Sequence, residues 1–166
     1  MANDHFYHGH HMICKVNEER TRFYYQDLKL EQLYNMKGMK SSEIVFDKQL
    51  NISKNVEYDY FNKRFYIFSN ATQKLLVYSE TSQEKLCEVS VQKKVIDPHL
   101  FIHHTNGRIF LLIIGGYCKI EKNIVQGSKF IEIFELGRWE IQLKSRVINL
   151  ITGRISPIIL KIIERD

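Results

Sequence analysis

The chain has 166 residues, of which 44% are hydrophobic and 12% aromatic, enough apolar material for a packed domain and too much for an intrinsically disordered protein. The net charge of +5 permits acidic partners, but the basic residues are spread out and form no dense nucleic-acid-binding block. The longest apolar run, Ile109 to Ile114, is far shorter than the ~20 residues of a membrane-spanning helix.

The N-terminus and the cysteines indicate the compartment. The polar N-terminus has no signal-peptide pattern, and three cysteines without paired spacing favour neither a disulfide framework nor a zinc site. We therefore predict a cytoplasmic protein with reduced core thiols, no cofactor and no membrane association. A histidine-rich start is chemically able to bind zinc or copper, but no second ligand cluster accompanies it, so a polar terminus is the simpler interpretation and we predict no metal. These histidines are His5, His8, His10 and His11.

The first predicted elements lie between His11 and Met36. An apolar strand reaches Asn17, a four-residue polar turn follows, a second strand carries Tyr25, and a third carries Leu33. This order of strand, polar turn and aromatic strand recurs further along the chain.

A second unit begins with the alternating stretch from Asn55 to Phe61, which the turn Asn62-Lys63 joins to the strand "RFYIF". That strand leads to Asn70, a second four-residue polar turn and a strand carrying Tyr78. Tyr25 and Tyr78 hold equivalent places at an offset of about 50 residues, the period expected of a repeat protein.

The third unit opens with "PHLFIHH" and "RIFLLII", joined by a turn whose Asn106-Gly107 pair favours the positive φ angles of a tight hairpin. Its second strand is apolar on both faces and ends at Gly115-Gly116, because glycine lets the chain leave a crowded strand without φ restriction. The alternating strand "KFIEIFEL" then carries Phe134, and Trp139 opens a fourth strand.

Repeated four-stranded units of this length are typical of β-propeller blades. The diglycine, the aromatic and the Trp of the third unit resemble the Kelch repeat. The resemblance implies an all-β fold of three four-stranded antiparallel blade-like sheets in a partial or open β-propeller. It also implies blade-packing roles for Gly115, Gly116, Phe134 and Trp139, with Tyr25 and Tyr78 at the corresponding place in the earlier units.

We expect a single domain whose repeats span approximately 5–42, 52–93 and 98–146. The tail 147–166 holds either a strand at Ile155 to Ile163 or a helix capped by Ser156 with Pro157 in its first turn. Propellers close with about four to eight blades, so three units leave three outcomes open: a fragment of a larger propeller, assembly with another copy or a partner, or an open twisted stack. We expect association, because the apolar face of the tail must be covered.

The resemblance places binding on loops between strands, and the long insertion Tyr117 to Ser128 is the candidate, with a hairpin of no separate role as the alternative. Its candidate contact residues are Lys119, Glu121, Lys122 and Asn123. We therefore predict a noncatalytic protein-interaction or scaffold module that binds a protein partner or forms a homo-oligomer.

Two other function classes are an enzyme and an RNA-binding protein. Motifs for nucleotide binding, serine hydrolysis and zinc proteolysis are absent from the sequence, and the acid pairs Glu57/Asp59 and Glu132/Glu135 are expected to face solvent, so no enzyme is predicted. The alternative function is single-stranded RNA binding, since "RTRFYY" and "KRFYIF" place arginine beside aromatics as stacking platforms do. Core packing of those aromatics is the competing interpretation.

Overall fold

The computed structural model describes residues 2–7, 10–29, 41–121, 124–137 and 145–149. Within them the strands pair antiparallel, in three four-stranded sheets and one two-stranded sheet, which confirms the predicted all-β antiparallel class. The strand orders are linear, so none of these described sheets closes on itself. The chain divides into two compact units, Met1–Glu88 and Val89–Asp166, whereas the predicted repeat intervals within a single domain stay a prediction.

The first sheet of the first unit contains four strands in sequence order. They are β1 (Ala2–Tyr7), β2 (His10–Val16), β3 (Arg22–Lys29) and β4 (Ser42–Val45). Asn17 builds the predicted turn between β2 and β3, because its side-chain oxygen accepts hydrogen bonds from the backbone N–H groups of Thr21 and Arg22 at 2.9 and 2.8 Å. Leu33 lies outside the described residues.

The second sheet also follows sequence order, after a short 3-10 helix at Lys48–Leu50. Its strands are β5 (Ile52–Asp59), β6 (Arg64–Ser69), β7 (Lys74–Ser79) and β8 (Lys85–Ser90). The predicted hairpin of β5 and β6 is confirmed. Its turn depends on Asp59, whose buried carboxylate accepts hydrogen bonds from the backbone N–H groups of Phe61 and Asn62.

Four tight turns of the first unit share one backbone feature. In each turn, the fourth residue after the preceding strand has a positive φ and is not glycine. These residues are Arg20, Lys63, Gln73 and Gln83, with φ of 57°, 53°, 54° and 59°. The left-handed conformation turns the chain back into the next strand at a modest cost in strain.

The two sheets of the first unit share one core. Aromatic side chains dominate it: the ring centroid of Phe65 lies 5.0 Å from that of Phe23 and 4.6 Å from that of Tyr25. Edge-to-face and tilted ring pairs of this kind contribute about 0.5–1.5 kcal/mol beyond the burial of their area. The aromatics of β3 and β6 therefore hold the first sheet against the second.

The second unit contains the third sheet and the two-stranded sheet. Its strands are β9 (His99–Thr105), β10 (Arg108–Ile114), β11 (Tyr117–Glu121), β12 (Ile124–Gly127), β13 (Phe130–Glu135) and β14 (Ser145–Asn149). The third sheet has the order β14-β13-β10-β9, and β11 pairs with β12. The predicted hairpin of β9 and β10 is confirmed, with φ of 48° at Asn106 and 75° at Gly107.

Among the described residues, the fourth strand of the third sheet is β14, which starts at Ser145. The sequence predicts that this strand opens at Trp139. Trp139 and the tail from Ile155 to Ile163 lie outside the described residues. The central strand β10 is buried on both faces, as its apolar run predicts, with a core formed by Phe110, Leu112, Ile131 and Ile133.

Candidate protein-binding hairpin

The diglycine ends β10 and starts the β11–β12 hairpin. Gly115 and Gly116 have φ of 68° and 78°, the left-handed region that glycine enters without a steric penalty. A Cβ on Gly116 would lie 2.6 Å from the backbone oxygen of Ile96 and 2.7 Å from Cγ2 of Val95. Glycine is therefore required here both for the turn and for close approach to the segment before β9.

Contacts at Tyr117 and Cys118 attach the hairpin to the segment before β9, and a third contact closes its base. Ile96 and Tyr117 exchange two backbone hydrogen bonds of 2.8 and 2.9 Å, and the N–H of Ser128 donates to the oxygen of Gly116 at 2.9 Å. On the inner face, the thiol of Cys118 donates to the backbone oxygen of Lys94 at 3.4 Å. The first strand of the hairpin is thus held to the segment before β9, and its two ends are joined to each other.

The opposite face of the hairpin is exposed. Tyr117 pairs with Gly127 and Lys119 pairs with Val125, and paired residues of antiparallel strands project to the same side. Tyr117 is 55% exposed, Val125 is 60% exposed, and Lys119 is exposed as well. We call Tyr117, Lys119 and Val125 the hairpin face: an aromatic, a cation and an aliphatic side chain on a fixed backbone.

The predicted loop residues are only partly placed by the structure. Lys119 lies on the hairpin face, and Glu121 ends β11 with a side chain outside the described residues. Lys122 and Asn123 lie outside the described residues altogether. The insertion is a two-stranded hairpin with a register shift between Lys119 and Glu121, so the hairpin alternative describes its backbone correctly.

Sequence reasoning missed the two exposed apolar residues of this face. The alternation of Tyr117, Lys119 and Glu121 with Cys118 and Ile120 was the available signal, because it is the period of a strand with unlike faces. An insertion interpreted as a loop favours its polar and charged residues as contacts instead.

The other predicted packing residues differ in burial. Phe134 is fully buried in β13 opposite Leu111, and Tyr25 is buried in the shared core. Tyr78 is only half-buried, with its ring 5.2 Å from that of Phe46 in an edge-to-face contact. These three aromatics pack against neighbouring strands, which agrees with a structural role.

The pair Glu132 and Glu135 was predicted to face solvent, but only Glu135 does so. Glu132 is only 3% exposed, and its carboxylate accepts hydrogen bonds from the N–H groups of Gln92 and Lys93 and from the hydroxyl of Ser145. Glu135 is exposed and forms a bidentate ion pair with Arg108. Side chains alternate between the two faces of a strand, so residues an odd number of positions apart point to opposite faces. Glu132 and Glu135 are three positions apart and therefore lie on opposite faces.

Asp59 also departs from the expectation of an exposed strand acid. It is fully buried and shapes the β5–β6 turn, because Asn62 donates to it through both backbone and side chain. A buried carboxylate whose oxygens accept hydrogen bonds from backbone N–H groups fixes the geometry of that backbone.

The structure describes the three cysteines but not the side chains of the N-terminal histidines. Among the described residues, no three His, Cys, Asp or Glu side chains lie close enough together to hold a metal ion. The N-terminal histidine side chains are outside the described set. None of the three cysteines forms a disulfide bond, but only Cys14 is a core thiol, because Cys87 and Cys118 are half-buried.

The RNA-binding alternative loses much of its stacking surface. Bases stack on aromatic faces that solvent can reach. The aromatics of "RTRFYY" and "KRFYIF" are largely core residues: Phe23, Tyr25, Phe65, Tyr66 and Phe68 are buried, and Tyr24 is half-buried.

Among known proteins, no family model matches the chain, and a search of curated proteins finds no match. In the part of the chain that the structure describes, no helix has the length and apolarity to cross a bilayer. The resemblance to the Kelch repeat stays a prediction.

Proposed function

We propose that this chain is a noncatalytic protein-interaction or scaffold module of the cytoplasm, built from Kelch-like blades, that binds a protein partner or a second copy of itself through the hairpin face. The observation that carries the proposal is the exposure of Tyr117 and Val125 on a hairpin whose base is hydrogen-bonded to the second unit.

Exposed aromatic and aliphatic side chains on a fixed backbone are what a protein partner can bury at low entropic cost. Tyrosine is enriched among the residues that dominate interface energies, because it offers a large apolar area and a polar hydroxyl with few rotatable bonds. Lys119 beside them adds a positive charge that favours an acidic rim on the partner.

Site-specific photocrosslinking tests the proposal. A benzoylphenylalanine in place of Val125 is expected to give a crosslinked product in cells, whereas the same group at the exposed turn residue Ala71 of the first unit is not. The mass of the product distinguishes a second copy from a different protein. Tyr117→Ser should abolish the crosslink without altering the melting temperature, because the side chain is mostly exposed.

The contradicting result is equally clear. A protein that stays monomeric in solution and crosslinks no more from position 125 than from position 71 would remove the hairpin face as a binding surface.

A further inference from the structure

A second candidate site, independent of the hairpin face, lies at the end of the second sheet where the β5–β6 and β7–β8 turns meet. One of its residues, Tyr58, is only 3% exposed, so its ring can receive a ligand only where the Lys63 ammonium now lies. We call Tyr58, Tyr60, Lys63 and Glu80 the cation corner. The rings of Tyr58 and Tyr60 have centroids 4.5 Å apart and an interplanar angle of 78°, so they form two nearly perpendicular walls. The Lys63 ammonium lies 5.5 Å from the Tyr60 centroid and 6.0 Å from the Tyr58 centroid.

A carboxylate completes this arrangement. Lys63 Nζ lies 4.0 Å from Oε2 of Glu80, and the Tyr58 hydroxyl donates a hydrogen bond to the same oxygen. The ammonium of Lys63 therefore sits against two aromatic walls and one negative charge.

The backbone holds these groups in place. The buried Asp59 carboxylate fixes the turn that leads to Lys63, and the backbone oxygen of Lys63 accepts a 2.9 Å hydrogen bond from the N–H of Glu80. On the other side, Tyr25 donates its hydroxyl proton to the backbone oxygen of Glu80 at 3.3 Å and accepts from Gln83 Nε2 at 3.0 Å. The corner is thus a preorganised structure rather than a chance meeting of exposed side chains.

Its electrostatics favour a cation. The pKa values of the Tyr58 and Tyr60 hydroxyls are raised well above their ordinary value, first by burial and in addition by the negative charges of Glu80 and Asp27. Burial, the larger cause, disfavours a charge of either sign, whereas the part that comes from Glu80 and Asp27 reflects a negative potential that attracts an ammonium group.

The present occupant does not use the corner fully. The Lys63 side chain remains 51% exposed, and its ammonium contacts Glu80 at ion-pair rather than hydrogen-bond distance. A primary ammonium is strongly hydrated, so leaving water for aromatic faces brings it little gain. A methylated ammonium has fewer or no N–H donors to desolvate and binds to aromatic rings in preference to water.

We infer that Tyr58, Tyr60 and Glu80 form a binding site for methylated ammonium groups, and that Lys63 is an internal competitor which an incoming ligand displaces. Two sources carry this chemistry: trimethyllysine in a protein and choline in a lipid or metabolite. Because Lys63 is tethered beside the site, its high effective concentration lowers the apparent affinity for either.

Titration of the full chain with tetramethylammonium, N-acetyl-trimethyllysine amide and phosphocholine, followed by NMR of the tyrosine rings, tests the inference. Lys63→Met should tighten tetramethylammonium binding about tenfold or more, and Tyr60→Leu should weaken it by a similar factor. Lys54→Met is the matched control, since Lys54 is an exposed lysine of β5 outside the corner, and it should change nothing.

The three probes separate the sources. Tighter binding of the trimethyllysine amide assigns the site to a protein ligand, and tighter binding of phosphocholine assigns it to a choline headgroup. Two results overturn the inference: unmethylated lysine amide binding as tightly as its trimethylated form, or Lys63→Met and Tyr60→Leu giving equal affinities in folded proteins. Glu80→Gln removes the charge of Glu80 but keeps the shape of its side chain. A loss of tetramethylammonium binding in this variant, when it is folded, therefore reflects the missing charge and not misfolding.

Discussion

Gly116 shows at the residue scale how a single Cβ would disturb the structure. Gly116→Ala should lower the free energy of unfolding by roughly 3 kcal/mol or more, because the methyl group would meet the backbone of Ile96 as well as an unfavourable φ. Gly115→Ala is the matched control: its φ is also positive, but nothing lies within 4 Å of the added Cβ. It should cost only the strain, about 1–2 kcal/mol.

Urea denaturation of the two variants measures this difference. Equal losses would mean that φ alone determines the need for glycine at both positions. The sequence predicted the end of the strand at this pair, but it could not show which glycine has the close contact, because Ile96 and Val95 lie far from Gly116 along the chain.

Most of the turn residues with positive φ could not be predicted from the sequence. Asn106-Gly107 was predicted because both residues tolerate positive φ, whereas the positive φ of Arg20, Lys63, Gln73 and Gln83 has no such compositional signal. The flanking strands set these conformations through hydrogen bonds such as the one from Gln83 N–H to the oxygen of Ser79.

Glu132 acts at the scale of the element, since it connects β13 to the segment that precedes β9. Glu132→Gln should lower the free energy of unfolding by about 1–3 kcal/mol, because the amide presents one acceptor oxygen where the carboxylate presents two to backbone N–H groups and Ser145. Hydrogen exchange should accelerate at the amides of Gln92 and Lys93.

Glu135→Gln provides the comparison on the same strand. Its partner Arg108 lies at the surface, so the change should cost no more than about 1 kcal/mol. Similar losses for both variants, with unchanged exchange at Gln92, would show that the buried carboxylate does not hold the segment.

Strands and hairpins were the most predictable elements. Period-two alternation and turn residues gave the hairpins of β5 with β6 and of β9 with β10. The insertion was less predictable, because the contacts of Tyr117 with Ile96 and of Cys118 with Lys94 join segments that no local pattern connects. The exposed hairpin face therefore became visible only in three dimensions.

At the scale of the whole molecule, buried tyrosines connect stability to alkaline pH. Burial is the first cause of the raised pKa values of Tyr58, Tyr60 and Tyr66, while an unfolded tyrosine titrates near about pH 10. Their neutral forms are retained by the folded state, so this contribution to stability is fully present below about pH 10 and is lost as the pH rises further.

Denaturant midpoints measured across the alkaline range, together with phenolate absorbance, check this expectation. Stability should fall above about pH 10, and most phenolate should appear only on unfolding. Tyr66→Phe should make the fall of stability with rising pH less steep, because one tyrosine no longer titrates. A flat stability profile with phenolate forming in the folded protein would contradict the assignment.

The all-β class was accessible from the composition and the alternation, since both reflect side chains that fit a pleated, half-buried surface. The division into two compact units was not, because it depends on which sheets share a core. Blade repetition remains a prediction that rests on the equivalent places of Tyr25, Tyr78 and Phe134. The Kelch resemblance remains one that rests on Gly115, Gly116, Phe134 and Trp139.

The Asn106-Gly107 turn has a consequence for the chemical ageing of the protein. Both residues are exposed, and nothing lies within 4 Å of the place where a side chain on Gly107 would begin. Because Gly107 has no side chain, it shields its own backbone nitrogen less than any other residue would. Attack of this nitrogen on the Asn106 carboxamide releases ammonia, and water then opens the cyclic imide to an aspartate or isoaspartate. Stored preparations should accumulate a more acidic form, modified at this one hairpin.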